Sequence, residues 1–362
     1  MHCTGILKPD RPRLRCCMFV LAALAFGPPA GAQIPSLEVQ LDLQRLRTEA
    51  LVSTDRGSLV SRYSFLERAA TNEETPPEFS ISVSASALYN SNAESAATQG
   101  TSTFEGNPEM RLAWSKQMSA WALSALVDAN SVRYVRSQGA DGDTSFAQLQ
   151  VQHIDPDDDT AFAPFVSYSP SLAFAPTFSK RTATTHDLSI GFDKMFNFDE
   201  DREHLHAPDT VDSAVWSIGL TGTAARSFAD SSPSSGASPS SYNLSVAPSL
   251  TYNSRDPNAL QPDAQWSTSF EVAVTRLFYD RDNGFERHDW LWSPILTTKY
   301  VPPLRWFKRA NENDVQANDR RTRLGQPTLL LQLAFSQLSS NLAGAQFHQW
   351  TLGPTLNVAW SF

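Results

Sequence analysis

From residue 79 onward the chain is a succession of stretches in which every second side chain is apolar. Phe79, Ile81, Val83, Ala85, Ala87 and Tyr89 alternate with Ser80, Ser82, Ser84 and Ser86. Trp216, Ile218 and Leu220 alternate with Ser217, Gly219, Thr221 and Thr223, and Tyr242, Leu244, Val246, Pro248, Leu250 and Tyr252 with Asn243, Ser245, Ala247, Ser249, Thr251 and Asn253. Side chains of a β-strand point to opposite faces in turn, so a period of two predicts strands with one apolar face. Twelve such segments follow: 79–90, 107–116, 118–136, 144–154, 160–175, 185–198, 213–229, 240–253, 264–280, 288–302, 326–339 and 345–362. Ten or fourteen strands are the alternatives. Leu126, Val132 and Tyr134 break the alternation in the second to fourth segments, and the prolines at 164, 170, 248 and 294 each remove a ladder donor.

The polar face carries Ser, Thr, Asn, Gly and Ala rather than the long charged side chains of a water-exposed sheet. Small polar residues suit the inside of a narrow closed barrel, where long side chains collide. Aromatics gather near the segment ends, among them Tyr89, Trp114, Trp121, Phe196, Trp266, Phe278, Trp290, Trp292, Tyr300 and Trp350. Rings with one wet and one apolar edge favour a membrane interface. The last segment sets Leu356, Val358, Trp360 and Phe362 on one face, opposite Thr355, Asn357, Ala359 and Ser361. This ending resembles the carboxy-terminal assembly signal of Gram-negative outer-membrane β-barrel proteins. The resemblance implies a transmembrane antiparallel up-and-down β-barrel of about twelve strands spanning 79–362. It also implies recognition of Leu356, Val358, Trp360 and Phe362 by the outer-membrane assembly machinery. It identifies the porin-like class, not a family within it.

The amino-terminus fits that setting. Lys8, Arg11, Arg13 and Arg15 precede an apolar run from Cys16 to Phe26, and Ala30-Gly31-Ala32 is a small-residue cleavage site. A secretory signal peptide over 1–32 is expected, with the mature chain starting at Gln33. All three cysteines, Cys3, Cys16 and Cys17, fall within it, which excludes disulfides and thiolate metal sites from the mature chain. Without the signal the net charge is −12, so nucleic acid is not an expected partner. Residues 33–78 differ from the rest. Val39, Leu43, Leu46 and Ala50, then Leu59, Tyr63, Leu66 and Ala70, share helical faces, predicting a short periplasmic helical hairpin and linker. The alternation of Leu37, Val39, Leu41 and Leu43 keeps a strand open as the alternative. With the chain end in the periplasm, residues 91–106, 137–143, 176–184, 230–239, 281–287 and 340–344 face outward. The same parity puts Pro303–Gly325 in the periplasm, a long basic stretch with Arg305, Lys308, Arg309, Arg320, Arg321 and Arg323.

Candidate chemistry is sparse. A nucleophilic serine needs a base within reach, and the nearest approach, His186 with Ser189, puts the two on opposite faces of a strand. Enzymatic activity is not expected. Asp155-Pro156-Asp157-Asp158-Asp159 begins like a calcium loop but has Thr160 in place of the required glycine, and reads as an acidic turn. Asp199–His206 reads as a solvated turn, and neither a metal nor a cofactor is expected. On the polar face the expected lumen charges are few: Arg111, Asp187, Asp193, Glu271 and Lys299. The expected function is a narrow passive channel for small hydrophilic solutes, embedded in outer-membrane lipid. The alternative is a structural or export-accessory barrel docking a periplasmic protein through its amino-terminal segment.

Overall fold

The computed structural model describes residues 78–93, 100–136, 141–155, 161–197, 215–229, 240–255, 265–280, 287–302, 307, 316–317, 320, 324–341 and 346–361. The expected signal peptide, the helical hairpin and Phe362 lie outside these residues, as do most of the two acidic turns.

Twelve strands form one closed antiparallel barrel: β1 (Glu78–Asn90), β2 (Thr103–Met118), β3 (Trp121–Tyr134), β4 (Gly142–His153), β5 (Ala163–Phe174), β6 (Arg181–Asn197), β7 (Val215–Ala229), β8 (Ser241–Arg255), β9 (Gln265–Tyr279), β10 (His288–Val301), β11 (Gln326–Ser340) and β12 (Phe347–Ser361). Each strand pairs with its sequence neighbours, and β1 pairs with β12 to close the wall, with Ser80 opposite Ser361 and Asn90 opposite Thr351. Closure removes every free sheet edge, the condition for crossing hydrocarbon with strands.

The two faces sort as the period-two pattern predicts. On β1, Phe79, Val83, Ala85, Ala87 and Tyr89 are exposed outward, whereas Leu88 and Asn90 are buried inside. Registers carry that parity round the wall, so the exposed Val166, Leu188, Ile190, Leu244, Val246, Leu331 and Leu352 form one apolar outer band. Leu126, Val132 and Tyr134 point inward: Leu126 and Tyr134 stand opposite the inward Ala113 and Glu105 of β2, and Val132 shares their parity on β3. Their break in the alternation is therefore apolar matter inside the barrel, not a change of register.

Aromatic pairs ring both ends of the band. At the end where β1 begins and β12 ends, Phe79 meets Trp114, Trp121 meets His153, Trp216 meets Tyr252 and Trp266 meets Tyr300. At the far end Tyr89 meets Phe104, and Phe335 meets Trp350. On β1 the two rings lie ten residues apart, at Phe79 and Tyr89, and on β10 at Trp290 and Tyr300. At ~3.3 Å per residue and a tilt of about 40°, ten residues rise about 25 Å, the height of the apolar band of a transmembrane barrel.

Several boundaries differ from the sequence expectation. β2 begins at Thr103 rather than 107, β4 at Gly142 rather than 144 and β6 at Arg181 rather than 185, which shortens three far-end loops. Thr103, Glu105 and Asn107 are buried on the inner face while Phe104 and Pro108 are exposed, so the pattern is present there but written with residues of turn-like composition. β2 and β3 are joined by Ser119 and Ala120 alone, with Ser119 at φ 51°. β10 and β11 pair directly with each other, so the basic connection between them stands at the terminus end of the barrel and contributes no strand among its described residues. It is anchored there by Gly325, at φ 84°, whose Cα faces Val358 and Trp360 of β12 so closely that a Cβ would lie 2.6 Å from the valine.

Candidate functional site

The inner wall is built from the polar residues of each alternating segment, and its chemistry is acidic. Ser82 of β1 lies opposite Arg111, Ser169 of β5 opposite Asp187, Thr221 of β7 opposite Asp193, Ser249 of β8 opposite Glu271 and Ser267 of β9 opposite Lys299. Each partner shares the inward parity, so all five charges named from the sequence stand on the inner face. Glu105, Glu109, Asp128 and Asp289 occupy inward positions as well, opposite Leu88, Ser84, Arg111 and Leu277. Among the described strand side chains the lumen thus holds seven carboxylates and two cations. Glu105 was missed because it lies in a stretch with the composition of a turn, and Asp128 because inward apolar residues blur the alternation of β3; Glu109 and Asp289 share the parity of inward positions on β2 and β10.

The acids are held in specific ways. Arg111 donates from Nε to Asp128 at 3.1 Å and from its terminal nitrogen to Glu109 at 2.7 Å. Asp128 is almost wholly buried, at 1% exposure, whereas the Arg111 and Glu109 side chains keep 12% and 15%. Above them Glu105 accepts from Asn90 and Asn107, both at 3.0 Å. On the opposite side Asp193 accepts from Gln152 and Thr221 at 2.8 Å each, and Asp187 accepts a short bond from Ser227. Gln152, Thr221 and Ser227 are neutral donors, so these bonds fix the two carboxylates in place. Asp289 is different: Arg287 neutralises it at the far-end rim, at 2.6 Å.

Towards the far end one side of the lumen turns apolar. Leu277, Leu291, Leu338 and Phe347, from the inner faces of β9 to β12, pack into a buried cluster against Tyr279. No sequence reading anticipated it, because each residue sits singly in a strand and only the registers of β9 to β12 bring the four together. Asp289, opposite Leu277, borders this apolar patch.

Outside, cations sit in the far-end aromatic ring. Arg226 lies over Tyr242, 4.1 Å from the ring centre, and pairs with Asp280 at 2.7 and 2.5 Å. Arg276 lies between Phe278 and Trp290. Such stacking keeps a charge at the interface by shielding its flat faces with ring electrons. Asp280, beyond the end of β9, is held below the usual carboxylate range by its bonds from Arg226, which outweigh the effect of burial.

The pair nearest to a hydrolytic arrangement is split by the wall. His186 faces outward, stacked on Tyr168 with its Nδ1 2.7 Å from the phenol oxygen, while Ser189 faces inward and shares a 2.6 Å bond with Ser167. Leu356, Val358 and Trp360 of the terminal strand all lie on the outer face, opposite Ala85, Val83 and Ile81.

No family model matches the chain, and no characterised protein matches it in sequence. Among solved structures it is similar to an outer-membrane channel from Pseudomonas putida F1, at 11% identity and a TM-score of 0.43, covering 79% of this chain and 97% of that one. It is also similar to the translocator domain of the autotransporter NalP from Neisseria meningitidis, at 8% identity and a TM-score of 0.40, covering 86% and 98%. A third is the β-domain of the Bordetella autotransporter BrkA, at 8% identity and a TM-score of 0.37, covering 78% and 99%. A wall that is closed, apolar outside, polar inside and ringed by aromatics at both ends of a ~25 Å band is that of an outer-membrane β-barrel.

Proposed function

We propose that the barrel is a narrow passive channel for small hydrophilic solutes across the outer membrane. One observation carries this reading: the inner face is lined at mid-height by polar and charged groups, with Glu109 and Arg111 of β2, Ser167 and Ser189 of β5 and β6, and Thr221 with Asp193. Eight strands leave room only for filling side chains and sixteen or more leave a wide channel, so twelve suit a bore shared by side chains and water. The amino-terminal signal would deliver the chain to the periplasm. The outer-face residues Leu356, Val358 and Trp360, with Phe362, would present it to the assembly machinery and leave both termini in the periplasm. The test is conductance of the protein purified from outer membranes and added to a planar bilayer. Reproducible open steps support the channel; silence from folded protein refutes it.

A second reading, an export-accessory barrel that docks a periplasmic protein, is favoured by the basic 303–325 connection fixed against β12 through Gly325. Removing residues 33–77 separates the two. The channel reading expects unchanged conductance, and the docking reading expects loss of a co-purifying protein with the channel intact.

A further inference from the structure

We infer that the pathway selects cations and that the inner wall formed by β2 and β3 is the station where they are held. The inference rests on the channel reading. The first observation is the charge balance among the described strand side chains: seven inward carboxylates against two inward cations. Fixed charges of one sign around a narrow, low-dielectric bore raise the local concentration of counter-ions and exclude co-ions.

The second observation is independent of charge. Asn107 Oδ1, Asp128 Oδ1 and Asn130 Oδ1 are buried acceptors with no donor among the described residues. Asn107 and Asp128 are 5% and 1% exposed. They cluster by register: Asn130 stands opposite Glu109, Asp128 opposite Arg111, and Asn107 is two positions from Glu109 on the same face of β2. Asn107 spends its amide nitrogen on Glu105 and Asp128 spends its Oδ2 on Arg111, which turns the remaining oxygen of each away from those bonds. A buried acceptor without a donor costs about 1–3 kcal/mol, and an oxygen surplus of this kind is relieved by water or by a cation. Carboxylate and amide oxygens are hard ligands, suited to alkali and alkaline-earth ions and to the ammonium groups of small organic solutes. Arg111, between Glu109 and Asp128, keeps the site from trapping an ion, since an entering cation is attracted by two carboxylates and repelled by one guanidinium. Weak holding of this kind permits flux.

The experiment is the reversal potential of the native protein in a planar bilayer under a potassium chloride gradient, with three single variants. A potential of the sign given by potassium permeation is expected, and it should shrink as total salt is raised because the wall charges are screened. Glu109→Gln, which keeps the side-chain shape, should reduce the preference for potassium. Asn107→Asp, which adds charge at the orphan oxygen, should increase it, and Thr297→Asn on the opposite β10 wall should leave it unchanged. Open steps with no ion preference, or with preference for chloride, overturn the inference while leaving the channel intact. So does a cation preference indifferent to both the Glu109 and Asn107 changes. A folded protein with no open steps removes the channel and the inference together.

Discussion

Placing a lysine at Val246 is the sharpest test of which face meets lipid. Val246 is half exposed on the outer face of β8, four residues from Tyr242 of the far ring and six from Tyr252 of the near one. At ~3.3 Å per residue and a tilt of about 40° those separations are about 10 and 15 Å, which puts Val246 close to the bilayer midplane. A lysine there is too deep for its ammonium to reach either interface without strain, and Val246→Lys should cost about 2–4 kcal/mol. Thr221 is the control. It sits one strand away at similar depth but on the inner face, with its hydroxyl bonded to Asp193 at 2.8 Å. Thr221→Lys loses that bond and brings an ammonium to the same carboxylate, so the change should stay within about 1 kcal/mol. Reversible denaturant unfolding into lipid vesicles measures both. Equal costs, or a larger cost at Thr221, would mean that inside and outside have been exchanged and would refute the assignment of faces.

Three further outcomes are expected. Phe362→Ser should lower the amount of folded barrel recovered from outer membranes while the precursor accumulates; normal recovery would show that the terminal aromatic is not read during assembly. Gly325→Ala should destabilise the barrel by about 1–3 kcal/mol, because it adds a Cβ at φ 84° and 2.6 Å from Val358; an unchanged unfolding midpoint would show that the 303–325 connection is not braced against β12. The Arg226–Asp280 pair should contribute above the ordinary carboxylate value of 3.8 and fade as pH falls through the lower value Asp280 has in the fold. Its exposure limits it to about 0.2–1 kcal/mol. Asp280→Asn should therefore lower stability slightly at pH 7 and make no difference at low pH; a difference that persists in acid would mean the carboxylate acts by shape rather than charge.

The alternation from Phe79 onward was enough to find all twelve strands because a barrel wall has a single rule at every position: apolar out, small or polar in. Where that rule weakens, the reading lost detail. Leu126, Val132 and Tyr134 face inward, so β3 has apolar residues on both faces, and Asp128 between them carried no visible parity. Glu105-Gly106-Asn107-Pro108 has the composition of a turn, which hid the start of β2 and with it Glu105 and the Asn107 oxygen. The apolar cluster at the far-end mouth could not be read locally, since Leu277, Leu291, Leu338 and Phe347 belong to four strands. Four of the five lumen charges named in advance, Asp187, Asp193, Glu271 and Lys299, came from strands with clean alternation, where face follows from parity alone.

The prolines show how much irregularity the wall accepts and where. In the ladders, pairing is continuous on one side of Pro108, Pro170, Pro248, Pro294 and Pro354 and skips two residue pairs on the other: between β2 and β3, β4 and β5, β8 and β9, β10 and β11, and at the β1–β12 closure. In an antiparallel strand a residue directs its N–H and C=O to one neighbour only. A proline therefore opens the ladder to that neighbour and spares the other, as seen at Pro248, which stays paired with Leu220 of β7 but not with Val272 of β9. All five occupy outward positions, where the ring adds apolar surface to the lipid-facing band. Pro248→Val should supply the missing N–H and extend β8–β9 pairing through Ala247 and residue 248. The new bond gains about 0.5–1.5 kcal/mol and the freer unfolded chain returns about 0.4–1, so stability should hardly change. Amide exchange is the decisive readout: the new amide at 248 and the neighbouring amides of β8 and β9 should be strongly protected. Fast exchange at 248 in a folded variant would show that the gap is set by the twist of the wall and not by the proline.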